Sequence, residues 1–296
     1  VFAMDTGAST SANTIPDLDS SFPVDLALIK SFNNNQDWHI GTRLQGTKKL
    51  NTNLTASESS SSNQVWDSNL GCWKNLGSEY QGWMWKRHAG FDVVTYKGNG
   101  VARQISHNLS KTPEMIWIKN RTEAREWSVG HIGLDGGTNP WEHYIILNSS
   151  SDENGSLASG VNIIWGDGAP NATHFNVGDW STVNENNKQH IAMLFASVDS
   201  ISKCGEYDGQ GSPLTITTGF APRFLIIKRT TGTDPWFVLD TTRGWGSGND
   251  NWLTLDGNGA QSSNDLGAPT STGFTVNHGS DAYNNTGEKY IYYAHA

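Results

Sequence analysis

Pro113-Glu-Met-Ile-Trp-Ile-Lys119 is an apolar run led by a proline and closed by a lysine. The same run recurs as Pro222-Arg-Phe-Leu-Ile-Ile-Lys228 and, less closely, as Pro23-Val-Asp-Leu-Ala-Leu-Ile-Lys30. Eight residues after each lysine stands a tryptophan (Trp38, Trp127 and Trp236), and two further on a β-branched residue (Ile40, Val129 and Val238). Three matches of one spacing identify an internal repeat, which is to be settled before any other feature of a chain.

Other segments then align. Phe91-Asp-Val-Val-Thr-Tyr96-Lys-Gly-Asn-Gly100 and Cys204-Gly-Glu-Tyr207-Asp-Gly-Gln-Gly211 open two units. His190-Ile-Ala-Met-Leu-Phe195 and Tyr290-Ile-Tyr-Tyr-Ala-His295 close them, and Tyr80-Gln-Gly-Trp-Met-Trp85 is a weaker closing strand. Leu50-Asn-Thr-Asn53, Ile145-Ile-Leu-Asn148 and Leu253-Thr-Leu-Asp256 each end in a turn-prone Asn or Asp. The units are residues 1–90, 91–203 and 204–296. The first lacks the Tyr-x-Gly-x-Gly opening, so its first strand is expected to be degenerate or missing. Val1 in place of Met is expected of a processed chain or a piece of a longer one.

Short runs rich in Ile, Val, Phe, Tyr and Trp, bounded by Gly, Asn and Asp, read as strands, and helical periodicity is absent beyond two turns. Prolines 23, 113 and 222 stand at strand entrances, where a missing N–H costs little. The expected fold is all-β, with three tandem related β-sandwich-like modules. The structural repeat positions are Lys30, Trp38, Lys119, Trp127, Lys228 and Trp236. Each Trp is expected in a core, and each Lys stem beside it with the charge outside.

Composition narrows the function. The 296 residues carry 20 Lys+Arg against 29 Asp+Glu, a net charge of −9 without a basic cluster, which argues against a nucleic-acid backbone as partner. No apolar stretch approaches the roughly 20 residues of a membrane helix, so membrane insertion is not expected. Cys72 and Cys204 stand far apart and read as free thiols, with a structural disulfide between them the alternative. No H-E-x-x-H, G-x-S-x-G or Walker loop occurs, so no catalytic residue, metal site or cofactor is assigned. His131, His143 and His174 lack metal-ligand spacing. The Asp-Gly pairs at Asp135, Asp208 and Asp256 read as hairpin turns rather than calcium loops.

What remains is aromatic. Of 13 Trp residues, three fill the repeat position, while Trp66, Trp73, Trp141, Trp165, Trp180, Trp245 and Trp252 lie in loop-like sequence. Rings among Asn and Asp suit a sugar, whose apolar face they cover while amides and carboxylates take its hydroxyls. Trp141, Trp165, Trp180, Trp245 and Trp252 are the candidate glycan-binding residues. The competing reading is that these rings pack their own loops or face a partner subunit.

The Phe91–Gly100 and Thr112–Arg121 segments resemble a repeat widespread in virion proteins of tailed bacteriophages, common among phages of aquatic bacteria. So do Thr218–Arg229, Tyr290–Ala294, and Asp25–Lys30 with Ala56-Ser-Glu58. The resemblance runs from about Ser21 onward; Cys204 departs from it, standing where relatives have an aromatic residue. It implies a non-enzymatic virion surface protein, a tail-fibre or spike module recognising host-surface glycan, with other virion proteins as partners and assembly as a homotrimer. A capsid- or tail-attached decoration protein is the alternative it leaves open, and a polysaccharide depolymerase the more remote one.

Overall fold

The computed structural model describes residues 1–8, 17–155, 157–158, 161–277 and 281–296. It is nearly all β. The helices among these residues are single turns, including Ser181–Asn184 and Asp281–Asn284. Three antiparallel sheets dominate. The first orders its strands Phe2–Thr6, Tyr80–Trp85, Leu26–Ser31 and His39–Thr42. The second runs Phe91–Lys97, Gln189–Phe195, Met115–Asn120, Ser128–His131, His143–Ile146 and Asn154–Gly155. The third runs Ser202–Asp208, Lys289–His295, Phe224–Arg229, Phe237–Asp240, Asp250–Thr254 and Ser262–Asn264. In each, the opening strand pairs with the closing strand, which pairs with the proline-led strand. The first sheet keeps this order: Phe2 lies opposite Trp85 and Thr6 opposite Gln81. Its opening strand is therefore present and differs only in motif; residues 9–16, which follow it, lie outside the described residues.

The proline-led strands read as continuous apolar runs because both faces are buried. Met115 and Trp117 face one cluster and Ile116 and Ile118 another; Phe224 and Ile226 divide likewise from Leu225 and Ile227, and Leu26 and Leu28 from Ala27 and Ile29. Odd-and-even alternation sends one set inward and the other outward. The outward sets build three separate clusters, each beneath the loops and small sheets of its own stretch. The inward sets of all three sheets join one common cluster that includes Trp38, Trp127 and Trp236. Each module is thus layered on its outer side, while its inner side is completed by the other two.

Hydrogen bonds close this arrangement. The indole N–H of Trp38 donates to Thr254 O (2.8 Å), that of Trp127 to Asn51 O (2.9 Å) and that of Trp236 to Ile146 O (3.0 Å). A second set runs the opposite way round: Glu58 N to Arg121 O (2.9 Å), Glu153 N to Thr230 O (2.9 Å) and Gln261 N to Phe32 O (2.8 Å). The backbone N–H of each of these tryptophans is held by the turn residue of its own sheet, Asn53 for Trp38, Asn148 for Trp127 and Asp256 for Trp236. The turn-prone Asn or Asp is therefore a clamp on the repeated ring.

The repeated lysines do not carry their charge outside. Counting two by two from Met115 puts Lys119 on the inward face, and Lys30, Lys119 and Lys228 are 1%, 0% and 0% exposed. Their ammonium groups are taken by carbonyls. Lys30 donates to Ser31 O (2.7 Å), Asn34 O and Asn258 O; Lys119 to Asn120 O (2.8 Å) and Glu123 O; Lys228 to Arg229 O (2.7 Å), Gly232 O and Ser150 O. Asn258 and Ser150 belong to neighbouring stretches, so two of these lysines also tie one stretch to the next. A buried charge without such partners is strongly unfavourable.

The Tyr-x-Gly-x-Gly motif also has a structural cause. Tyr96 and Tyr207 donate their hydroxyls to Val183 O and Tyr283 O. A Cβ at Gly98 or Gly209 would collide with the carbonyl of Glu185 or Asn285, and Gly100 and Gly211 have φ of 71° and 65°, conformations that glycine adopts without steric cost. Asp208-Gly209 is accordingly a strand exit, not a hairpin turn.

Candidate binding surface

Outside the common core, the loop tryptophans meet the sheets at one recurrent point. Immediately after Ile40 and Val129, counting from the repeated Trp as position one, the chain places Gly41 and Gly130 at position four. A Cβ on Gly130 would stand 2.5 Å from Trp141 Cζ3 and 2.7 Å from Trp165 Cζ2; one on Gly41 would stand 3.2 Å from Trp73 Cζ3 and 3.4 Å from Trp66 Cζ2. Each glycine leaves room for a pair of indoles. The third sheet has Leu239 there, and its two tryptophans are arranged differently.

The predicted glycan residues therefore divide. Trp165 is 1% exposed and donates its N–H to His143 O (2.7 Å); Trp245 is 3% exposed and donates to Gly267 O (3.0 Å). Both are packing anchors, and the expectation of an accessible ring fails for them because their N–H groups find backbone partners inside. Trp252 is half-buried over Phe237 (ring centroids 5.0 Å apart) and bonds Asn264. Trp180 is 48% exposed and caps the Ser181–Asn184 turn. Trp141 meets Trp165 edge to face, with centroids 5.4 Å apart; the other three are not brought to this pair.

Trp141, itself only 8% exposed, lines a cavity of about 230 Å³ with Thr138, Asn139, Glu142, Gly168 and Ala169. The Pro140–Glu142 turn carries the ring, with proline at its start, where a missing N–H is no loss. Asn162 Nδ2 holds Trp141 O (2.6 Å), and Asn176 Nδ2 holds the opposite wall through Gly168 O (2.8 Å) and Ala169 O (3.0 Å). The indole N–H of Trp141 donates to none of the described residues. The cavity thus offers an apolar ring, a free donor, a hydroxyl, an amide and a carboxylate.

The titratable groups nearby are structural. His131 is fully buried, and burial pushes its pKa down to about 4 while its ring faces Tyr292 O (3.2 Å). Burial also raises the carboxyl pKa of Glu153 and Glu206, which lie towards the seam between the second and third sheets. Asp208 there is paired with Lys289 at 3.0 Å. Among the described residues no group of three His, Cys, Asp or Glu is placed to hold a metal ion, and Cys72 and Cys204 are free and buried.

Sequence reading missed Gly41 and Gly130; the signal was an isolated glycine inside a strand, which marks close approach by another group. No curated protein matches the chain. A family model covers residues 3–296, and the chain belongs to that family, described as a domain of unknown function, DUF7483.

Proposed function

We propose that this chain is a non-enzymatic surface protein of a tailed-phage particle that recognises saccharide on the host surface. The observation carrying the reading is the Trp141 cavity, where an indole with a free N–H adjoins Thr138, Asn139 and Glu142. Sugars present that pairing of an apolar face with a rim of hydroxyls. The virion setting and a trimeric assembly rest on the sequence resemblance of the repeat. Purified protein on a glycan array is expected to bind, and to compete with phage adsorption. Asn139→Ala and Glu142→Gln, both surface changes, are expected to weaken binding at least tenfold with unchanged thermal stability. No binding to any saccharide and no competition would sink the reading.

A second reading, attachment to other virion proteins, is favoured by Val101 and Trp180. They are 63% and 48% exposed, and both are tied by hydrogen bonds to Asn184. Large exposed apolar side chains brought together mark contact surfaces. A virion density map showing that patch covered would support it.

A further inference from the structure

A second concavity lies beside the first sheet, against Trp66. This groove, of about 570 Å³, is lined by Arg43, Gln64, Trp66, Asp67 and Lys74 among others, a volume in the usual range for small-molecule sites. We propose that it binds an acidic saccharide, a sugar residue bearing a carboxylate. The proposal rests on the saccharide-recognition reading above but uses a different surface and different residues.

Gln64 carries the argument. It is 8% exposed, and its Nε2 donates to Lys48 O at 2.9 Å. Reversing the amide would set two carbonyl-type oxygens against each other, so the Lys48 carbonyl fixes which atom is left over. That atom, Oε1, is buried and has no hydrogen-bond partner. A buried acceptor left unpaired is unfavourable by about 1–3 kcal/mol, and a ligand hydroxyl donating to it removes that deficit.

Charge selects the rest of the ligand. Arg43 is occupied, donating to Val24 O (2.8 Å and 3.1 Å) and to Trp66 O and lying 3.5 Å from Asp25. Lys74 has no ion-pair partner among the described residues, which leaves its ammonium for an incoming anion. In a chain of net charge −9, long-range repulsion opposes anions, so an unpaired cation inside a groove is a local exception. Trp66 is held by its N–H to Gly46 O (2.7 Å), which presents a fixed apolar wall. An acceptor in need of a hydroxyl, an ammonium in need of a carboxylate and an indole wall together match a uronic-acid-type residue.

The test is titration of the full chain with oligogalacturonate and with a neutral oligosaccharide of equal length, followed by calorimetry and tryptophan fluorescence. The acidic ligand is expected to bind more tightly and to weaken as salt rises. Lys74→Gln and Gln64→Leu are each expected to cost at least tenfold for it, and Glu142→Gln to leave it unchanged. Circular dichroism checks that the variants fold, and Lys74, half-buried at the groove, serves even if Gln64→Leu does not. Equal affinity for both ligands, unaltered binding in Lys74→Gln, or full competition by inorganic phosphate at matched concentration would overturn the inference. Neutral saccharide bound through Trp141 with no acidic binding would leave the broader reading standing and this one lost. Failure of every saccharide would remove both.

Discussion

Trp127 donates its indole N–H to the carbonyl of Asn51 at 2.9 Å, across 76 positions of sequence. The bond joins the second sheet to the first, and its counterparts from Trp38 and Trp236 join the other pairs. Removing the donor while keeping the ring isolates its contribution. Trp127→Phe leaves Asn51 O short of a partner and a small void, and should destabilise by about 1–3 kcal/mol. Because the inward faces share one cluster, the loss should appear as a lower midpoint of a single transition in urea. A separate early transition for the second sheet would contradict the common core.

Alkaline pH reports on the buried lysines. Burial pushes Lys30, Lys119 and Lys228 down to about 8, from 10.5. Between those values the unfolded chain holds more protons than the folded one. Stability therefore rises with pH, by up to about 1.4 kcal/mol per unit for each lysine. The buried thiols Cys72 and Cys204 have raised pKa values and oppose this from about pH 9, and buried tyrosines such as Tyr207 and Tyr293 oppose it above 10. The urea midpoint should climb from pH 8 to 9 and fall beyond 10. Lys119→Met should reduce the slope by about a third; a flat profile in the unmodified chain would refute the assignment.

Acid should act through histidines. Burial lowers His39, His88, His131 and His190 to about 4, and His295 to about 3. Folded-state values below the unfolded 6.5 mean that stability is intact above that pH and is lost as pH falls towards 4. Thermal midpoints should drop from pH 6.5 to 5, before most carboxylates titrate. His131→Gln should make that fall shallower; an unchanged acid limb would contradict the burial argument.

Gly130 should tolerate no side chain. A Cβ 2.5 Å from Trp141 and 2.7 Å from Trp165 forces two indoles apart, and overpacking of this kind costs about 1–3 kcal/mol. Gly130→Ala should lower stability by that amount and shift tryptophan fluorescence, while Gly259→Ala, with nothing within 4 Å of its Cβ, should do neither on packing grounds. Equal effects of the two would show that backbone freedom, not the indole pair, sets the cost.

Short-range features were legible before the structure. The Pro-led runs, the Lys-to-Trp spacing and the terminal Asn or Asp are local patterns, and the strands lie where period and turn residues place them. The inward direction of Lys119 was also present in the alternation from Met115, but ordinary experience of lysine pointed the other way. Contacts made across long separations were not legible. Nothing near Trp127 indicates Asn51, and nothing near Trp165 shows that its N–H meets His143 O. The surface character of a loop tryptophan depends on such distant partners, which is why Trp165 and Trp245 lie inside while Trp141 lines a cavity.

The backbone bonds run from first to second, second to third and third back to first, the indole bonds run the opposite way round, and this closed ring has an evolutionary consequence. A solenoid accepts another repeat at either end because each unit touches only its neighbours. Here every end is already taken. A duplicated unit would have to break a seam, widen the middle and leave indole N–H groups facing no carbonyl. Copy number is then held by geometry, and inheritance is free to vary only where the perimeter permits, in the loops of unequal length that carry Trp66 and Trp141.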